Sequence, residues 1–281
     1  MMHLESDAPV PPEQIQWING FPAPPAPPVQ PLHGLASVFR LIRNKEDTRQ
    51  VFEVVRALAG DSGARNFERF TSTDYGRRVV SEPIKLEELL SDKPRLRAMG
   101  PGTLAHAYLE FMEGENLTAD GLLDAAEEAG MNFREAAQFE EYRRLFIHLD
   151  VSHDLWHVIT GYGRDALGEV CNLIFTHTMT RNGGFPLIVT IGLLAQKLEA
   201  PGAPLLKAAL EARRMSRGAA WLPGFDVEEL LPMQLADVRR LLNVTEPEAY
   251  LAVPEALREQ LLKPKVKQTQ TEREARGDAL A

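Results

Sequence analysis

Two histidines four residues apart, His153 and His157, have the side chains and the spacing that metal chemistry requires. On an α-helix this spacing places both imidazole rings on one face, a turn apart, where they suit one divalent ion. Glu169 follows His157 by twelve residues. Asp154 points about 100° further round the helix than His153, so we expect it to bind the ion from the side or to orient an imidazole. The segment predicts a metal site of two histidines and one or two carboxylates.

The ligand types restrict the kind of metal site and leave alternatives open. Two histidines and a carboxylate occur in non-haem iron oxygenases and at catalytic zinc, so zinc and iron are both candidates. A zinc protease is disfavoured, because its HExxH motif needs a glutamate base where this chain has the shorter Asp154. An unrelated metal hydrolase stays open, and a second metal or a further carboxylate cluster would support it. The structural alternative is that His153 and Asp154 cap a helix and His157 is a half-buried histidine.

Two helices must bring these ligands together. The first is predicted to start near Ser152, after a separate helix over 135–149, and to end at the Gly161–Gly163 turn. The second is predicted to begin at Asp165, whose carboxylate suits an N-cap. The glycine turn would let the second helix fold back and present Glu169 to the histidines.

The rest of the chain is also predominantly helical in its apolar spacing, and the alternation typical of strands is scarce. We therefore predict an all-α fold, as a single multi-helix domain over residues 34–255. Residues 1–33 are crowded with prolines and are predicted to form an extended tail, while 256–281 form a charged C-terminal tail. Further helical segments are predicted over 38–60, in two stretches of which Asp47 or Thr48 caps the second, and over 64–80, 103–113, 117–130, 186–198 and 204–217.

Composition excludes several classes of protein. The net charge of −9 argues against nucleic acid as a partner, because binding it requires clustered positive charge. The single cysteine, Cys171, permits no intrachain disulfide and is expected in the core. The longest apolar run, 185–195, is shorter than the roughly 20 residues that span a bilayer. We expect a bacterial cytoplasmic protein that touches a membrane only at its surface.

The metal-ligand segment resembles the Coq-four family of ubiquinone biosynthesis proteins. That family's signature is HDxxH, eleven residues, then E, and it is complete here as His153, Asp154, His157 and Glu169. The resemblance extends to PGTLAHAYLEFM upstream and to WLPGFDVEELLPMQLADVRRLLNV downstream. It covers residues 100–245 and is expected to start near Gly34.

The resemblance implies an all-helical homodimer at the surface of the inner membrane of a bacterium, working with other ubiquinone biosynthesis proteins. It implies a divalent ion, zinc or iron, at the motif. The implied substrate is a polyprenylated aromatic lipid derived from benzoate, on which an oxidative decarboxylation replaces the C1 carboxylate by a hydroxyl. The family has also been interpreted as a scaffold that gathers other ubiquinone enzymes, so a non-catalytic lipid-binding scaffold is the alternative.

Such a substrate needs an apolar groove and a group that holds its carboxylate. Residues 185–198 are candidates for the wall of a groove, together with 173–175, although they also suit plain core. Arg164, in the turn between the ligand helices, is a candidate to pair with the substrate carboxylate. The alternative is a plain surface arginine or one paired with Asp165. Asp154 and Arg164 are the candidate catalytic residues.

Overall fold

The computed structural model of the protein describes residues 10–43, 48–82, 85–115, 117–118 and 137–262. Within these ranges there are fifteen α-helices and one two-stranded hairpin, which confirms the predicted all-α fold. The predicted helix over 117–130 lies outside the described residues. The helices are α1 (Pro31–Arg43), α2 (Thr48–Ala57), α3 (Ser62–Thr71), α4 (Asp74–Ser81), α5 (Leu86–Ser91), α6 (Lys93–Ala98), α7 (Leu104–Gly114), α8 (Glu140–Thr160), α9 (Ala166–Thr180), α10 (Gly184–Glu199), α11 (Leu205–Gly218), α12 (Val227–Leu230), α13 (Leu235–Leu241), α14 (Glu248–Leu251) and α15 (Glu255–Gln260).

Part of the proline-rich segment is paired and packed on the body of the protein. Strands β1 (Gln16–Ile18) and β2 (Phe21–Ala23) form an antiparallel hairpin. The ring of Phe21 meets that of Phe67 on α3 edge-on, with 6.2 Å between centroids. Helix α1 begins at Pro31, earlier than the predicted start at residue 38, because proline is well suited to the first position of a helix.

The long helix α8 carries both candidate histidine ligands and runs without interruption over Glu140–Thr160. The prediction of two helices, one ending at 149 and the next starting near Ser152, is therefore wrong. Val151 and Leu155 are buried in the main core, so the apolar face continues through the supposed break.

The predicted single helix over 64–80 is instead two helices, α3 and α4. The hydroxyl of Thr73 accepts a hydrogen bond from the backbone N–H of Gly76 at 2.9 Å. This bond caps the start of α4, and a capped start of this kind marks a new helix rather than a continuation.

The main core forms where α7, α8, α9 and α11 pack together, and α3, α4 and α5 also pack against α8. Cys171 and Phe175 on α9 are fully buried there, and Cys171 is a free thiol as expected. A smaller cluster joins the α1–α2 hairpin to α10 through Val38, Val54 and Ile188. Leu173 packs against this smaller cluster, so Leu173 and Phe175, both proposed above as groove wall, are packed side chains.

Candidate metal centre

His153, His157 and Glu169 lie together where α8 and α9 face each other. The Nε2 atoms of the two histidines are 3.3 Å apart. Oε2 of Glu169 lies 3.7 Å from Nε2 of His153 and 3.5 Å from Nε2 of His157. One ligand atom from each residue falls within 4.8 Å of the others. Two imidazole nitrogens and a carboxylate oxygen thus converge on one small volume, as the spacing predicts.

The remaining motif residue, Asp154, lies outside this group of converging atoms. It is partly exposed and follows His153 on α8. Its negative charge contributes to raising the pKa of His157. Asp154 therefore acts on His157 through its charge, and its role as a direct ligand stays a prediction.

The orientation of His157 is fixed on both sides of its ring. Nδ1 lies 3.0 Å from the backbone carbonyl oxygen of Tyr162. A carbonyl only accepts, so Nδ1 carries a hydrogen, and in the neutral ring Nε2 then keeps its lone pair for the cluster. The ring of Phe111 stacks on the imidazole with 5.7 Å between centroids. Burial works to lower the pKa of His157, but the neighbouring Glu169 outweighs burial and raises it.

The two oxygens of Glu169 face different partners. Oε2 points to the histidines, whereas Oε1 lies 3.6 Å from Nε of Arg164. Burial works to raise the pKa of Glu169, but the charges and hydrogen bonds of His157 and His153 hold it well below its usual range. Arg164 therefore lies at the site, beside Glu169, with 38% of its side chain exposed.

Glycines let the chain reverse tightly between α8 and α9. Gly161 has φ of 78°, in the left-handed region that favours glycine. Gly168 lies so close to the turn that an added Cβ would be 2.0 Å from the carbonyl oxygen of Gly163. Oδ1 of Asp165 accepts hydrogen bonds from the backbone N–H groups of Leu167 and Gly168, which confirms Asp165 as the N-cap.

Sequence reasoning missed two polar side chains beside the site, Asp150 and Asn172. Asp150 lies on α8 one turn before His153, and burial raises the pKa of its carboxyl to about 7. Asn172, one turn after Glu169, is fully buried, and its Nδ2 lies 3.5 Å from the backbone oxygen of His153. Their spacing of three residues from a ligand is the signal that could have identified them.

No helix in the described part of the chain combines the length and the apolar character needed to cross a bilayer. The described helices therefore offer no membrane-spanning segment.

The chain matches known proteins of one biosynthetic pathway. A sequence model of the family described as coenzyme Q (ubiquinone) biosynthesis protein Coq4 matches residues 32–248. A mitochondrial ubiquinone biosynthesis protein COQ4 homolog from Anopheles gambiae is 26% identical over 124 residues, which span 42% of this chain and 40% of that protein. A solved structure from Nostoc punctiforme, of a protein named for ubiquinone biosynthesis, has a TM-score of 0.57 at 16% identity and shows a shared fold. The aligned part covers 78% of this chain and 100% of that one. Because the family match spans most of the chain, the protein belongs to the Coq4 family of coenzyme Q (ubiquinone) biosynthesis proteins.

Proposed function

We propose that His153, His157 and Glu169 bind one divalent ion, zinc or iron, and that the loaded site carries out oxidative decarboxylation of a ubiquinone precursor. The observation that supports this most directly is the convergence of three donors of the right type. The hydrogen bond from Nδ1 of His157 to the Tyr162 carbonyl adds to it, since it leaves Nε2 free to ligate. Three protein ligands leave coordination positions open, as catalytic sites require. When bound, the ion supplies Lewis acidity and a template for the substrate oxygens.

The proposed substrate is a polyprenylated benzoate-derived lipid, in line with the family's pathway. In the proposed reaction the C1 carboxyl leaves as carbon dioxide and a hydroxyl from water takes its place. Dioxygen accepts the two electrons released at the ring, together with two protons, and leaves as hydrogen peroxide. Arg164 is half-exposed beside Glu169, so its guanidinium can pair with the ring carboxylate at the mouth of the site. Asp154 is the candidate to hold or move a proton there, because it is partly exposed and adjacent to His153.

Elemental analysis of the purified protein tests the metal site. The wild type should carry about one equivalent of zinc or iron, and His157→Ala and Glu169→Gln should lose it with unchanged helical content. Glu110→Gln is the matched control. Glu110 also pairs with a histidine, His106 at 3.4 Å, but both residues lie on α7 and not on the helices that carry the candidate ligands. This control should keep the metal. Stoichiometric metal in both site variants would contradict the assignment.

Complementation separates an enzyme from a scaffold. A strain lacking this protein would receive the wild type, Glu169→Gln or Arg164→Met, and the accumulating quinone precursor would be identified by mass. If the protein is an enzyme, both variants should accumulate a precursor that keeps its ring carboxyl. Full restoration of ubiquinone by a metal-free Glu169→Gln protein would instead favour the non-catalytic scaffold.

We also propose that the protein contacts the membrane surface that holds its substrate, as a peripheral protein. At least two large apolar side chains are exposed on each of the helices α1, α10 and α11, and exposed apolar surface of this kind is suited to contact with lipid. Leu194→Ser/Leu198→Ser should lower co-flotation with anionic vesicles, and Leu241→Ser on α13 is the control. If the double variant instead changes the sedimentation coefficient, these leucines belong to the interface of the proposed homodimer. The exposed side chains are Leu32, Leu35 and Phe39 on α1, Leu194 and Leu198 on α10, and Leu206 and Leu210 on α11.

A further inference from the structure

The last two described helices reach back to the turn that joins the two ligand-bearing helices. The hydroxyl of Tyr250, on α14, donates to Oδ2 of Asp165 and accepts the backbone N–H of Gly163 at 3.0 Å. Nη1 of Arg258, on α15, lies 3.3 Å from the same Oδ2 and also contacts the Tyr250 hydroxyl. We call Tyr250 and Arg258 the C-terminal clamp. It joins the C-terminal helices to residues 163 and 165 of the turn.

The clamp is built in a water-poor environment. Tyr250 is buried, and the side chains of Arg258 and Asp165 are only 14% and 11% exposed. The guanidinium of Arg258 lies 4.3 Å over the centre of the Tyr250 ring, and that ring meets Tyr162 edge-on. Low exposure strengthens a hydrogen-bonded charge pair compared with a surface salt bridge, and removing one partner leaves the other charge uncompensated. Removal of either Tyr250 or Arg258 should therefore weaken the remaining contact with Asp165.

The turn that the clamp holds sets the placement of two metal-binding side chains. Its Tyr162 carbonyl accepts the hydrogen bond from Nδ1 of His157. Its Asp165 caps α9, and Glu169 lies in the first turn of that helix. A shift of the turn would therefore move the oxygen that orients His157 and the helix start that carries Glu169.

We propose that Tyr250 and Arg258 are positioning residues of the metal site, which fix His157 and Glu169 relative to each other without touching their donor atoms. Both residues follow 248, where the family match ends. The inference rests on the proposed metal function for its effect on affinity, whereas the effect on the turn can be measured in metal-free protein.

The protein contains a matched control for both clamp residues. Arg78 pairs with Asp226, which is itself an N-cap, and the Arg78 guanidinium lies 5.6 Å over the ring of Tyr75. Tyr75, Arg78 and Asp226 therefore form a second cluster of a tyrosine, an arginine and a capping aspartate, located at α4 and α12. Tyr75→Phe and Arg78→Met remove the same chemical groups from this second cluster as the test variants remove from the clamp. Tyr250→Phe and Arg258→Met are the test variants, and Arg258→Lys is the conservative one.

Two measurements test the inference. In metal-free protein, hydrogen exchange of the Gly163, Leu167 and Gly168 amides should be faster in Tyr250→Phe and Arg258→Met than in the wild type. In chelator competition, the zinc dissociation constant of both variants should rise about tenfold or more, as is usual when partners behind the ligands are lost. Arg258→Lys should recover part of both effects, and the two control variants should show neither.

The outcomes separate the clamp from the metal site. Wild-type zinc affinity in both clamp variants, whether or not exchange at the turn accelerates, would overturn the inference while the proposed function stands. Binding of neither zinc nor iron by the wild type would overturn the proposed function, and unchanged exchange at the three amides would then overturn the clamp as well. Faster exchange with weaker zinc binding, absent in Tyr75→Phe and Arg78→Met, supports it.

Discussion

Nδ1 of His157 lies 3.0 Å from the carbonyl oxygen of Tyr162, so a candidate metal ligand on α8 is oriented by the main chain that immediately follows α8. The tautomer of this histidine is thus set by the shape of the turn. That shape depends in turn on Gly161, whose φ of 78° continues the chain in a direction that other residues adopt only at a cost.

Gly161→Ala should destabilise the protein and also weaken metal binding. The left-handed backbone alone costs an alanine about 1–2 kcal/mol. The new Cβ would also lie 3.2 Å from Cδ of Pro247, so either Pro247 or the turn that bears the Tyr162 carbonyl would have to give way by a few tenths of an ångström. Gly100→Ala is the control, because Gly100 has φ of 91° and no atom within 4 Å of an added Cβ. Urea unfolding should show similar backbone costs for both, and zinc competition should show weaker binding only for Gly161→Ala.

The convergence of His153, His157 and Glu169 was predictable from sequence because the three residues are close together in the chain. His153 and His157 lie one turn apart on one helix. The short turn before Asp165 restricts where the next helix can lie, so it places Glu169 near the histidines. Neither residue of the C-terminal clamp carries such a signal, since Tyr250 and Arg258 come from 85 and 93 residues beyond Asp165. Contacts over that separation arise from packing, which residue spacing does not encode.

The errors in the predicted helices have physical causes of the same kind. The supposed break before Ser152 rested on polar residues that suit a helix start, but buried Val151 and Leu155 hold α8 together through it. In the opposite case, the helical spacing across 64–80 hid the cap made by Thr73. Tertiary packing decides both, and local propensity is the weaker term.

Gly168→Ala should be among the most damaging small substitutions in the protein. The added Cβ would lie 2.0 Å from a backbone oxygen of Gly163, and a backbone atom cannot rotate away as a side chain can. We expect a loss of about 3 kcal/mol in the free energy of unfolding, measured in urea. Gly114→Ala, at the exposed end of α7 with no atom within 4 Å, should be neutral or slightly stabilising. Equal stabilities of the two variants would contradict the close approach of α9 to the turn.

His148 should make stability fall as the solution becomes acidic. It is buried against Phe70 and Tyr75, and burial lowers its pKa from 6.5 to about 4. Between pH 6.5 and pH 4 the unfolded chain therefore binds a proton at His148 and the folded protein does not. The contribution of neutral His148 to the free energy of unfolding is complete above pH 6.5 and is lost as the pH falls to 4. The full loss is about 3 kcal/mol. His148→Gln should be less stable than the wild type at pH 7, with a difference that shrinks towards pH 4.5 in urea titrations. A difference that is constant with pH would contradict a neutral buried histidine.

Asp150 should have the opposite effect on the pH dependence of stability: its contribution should make stability fall as the pH rises. Burial raises the pKa of its carboxyl from 3.8 to about 7, and Oδ2 has no hydrogen-bond partner within the described residues. The folded state therefore holds a proton that the unfolded chain releases, and stability falls as the pH rises from 3.8 through 7. Asp150→Asn keeps the shape without the ionisable group, so it should be more stable than the wild type at pH 8 and similar to it near pH 4.

This comparison needs metal-free protein, because a cation beside His153 would favour the ionised carboxyl and reduce the effect. Repeating the urea titrations with saturating zinc therefore serves as the internal control. The advantage of Asp150→Asn at pH 8 should shrink when zinc is bound. If Asp150→Asn exceeds the wild type in stability by the same amount with and without zinc, the charge of the bound ion does not affect the ionisation of Asp150. If Asp150→Asn is less stable than the wild type at pH 8, the carboxylate is ionised and stabilised in the folded protein.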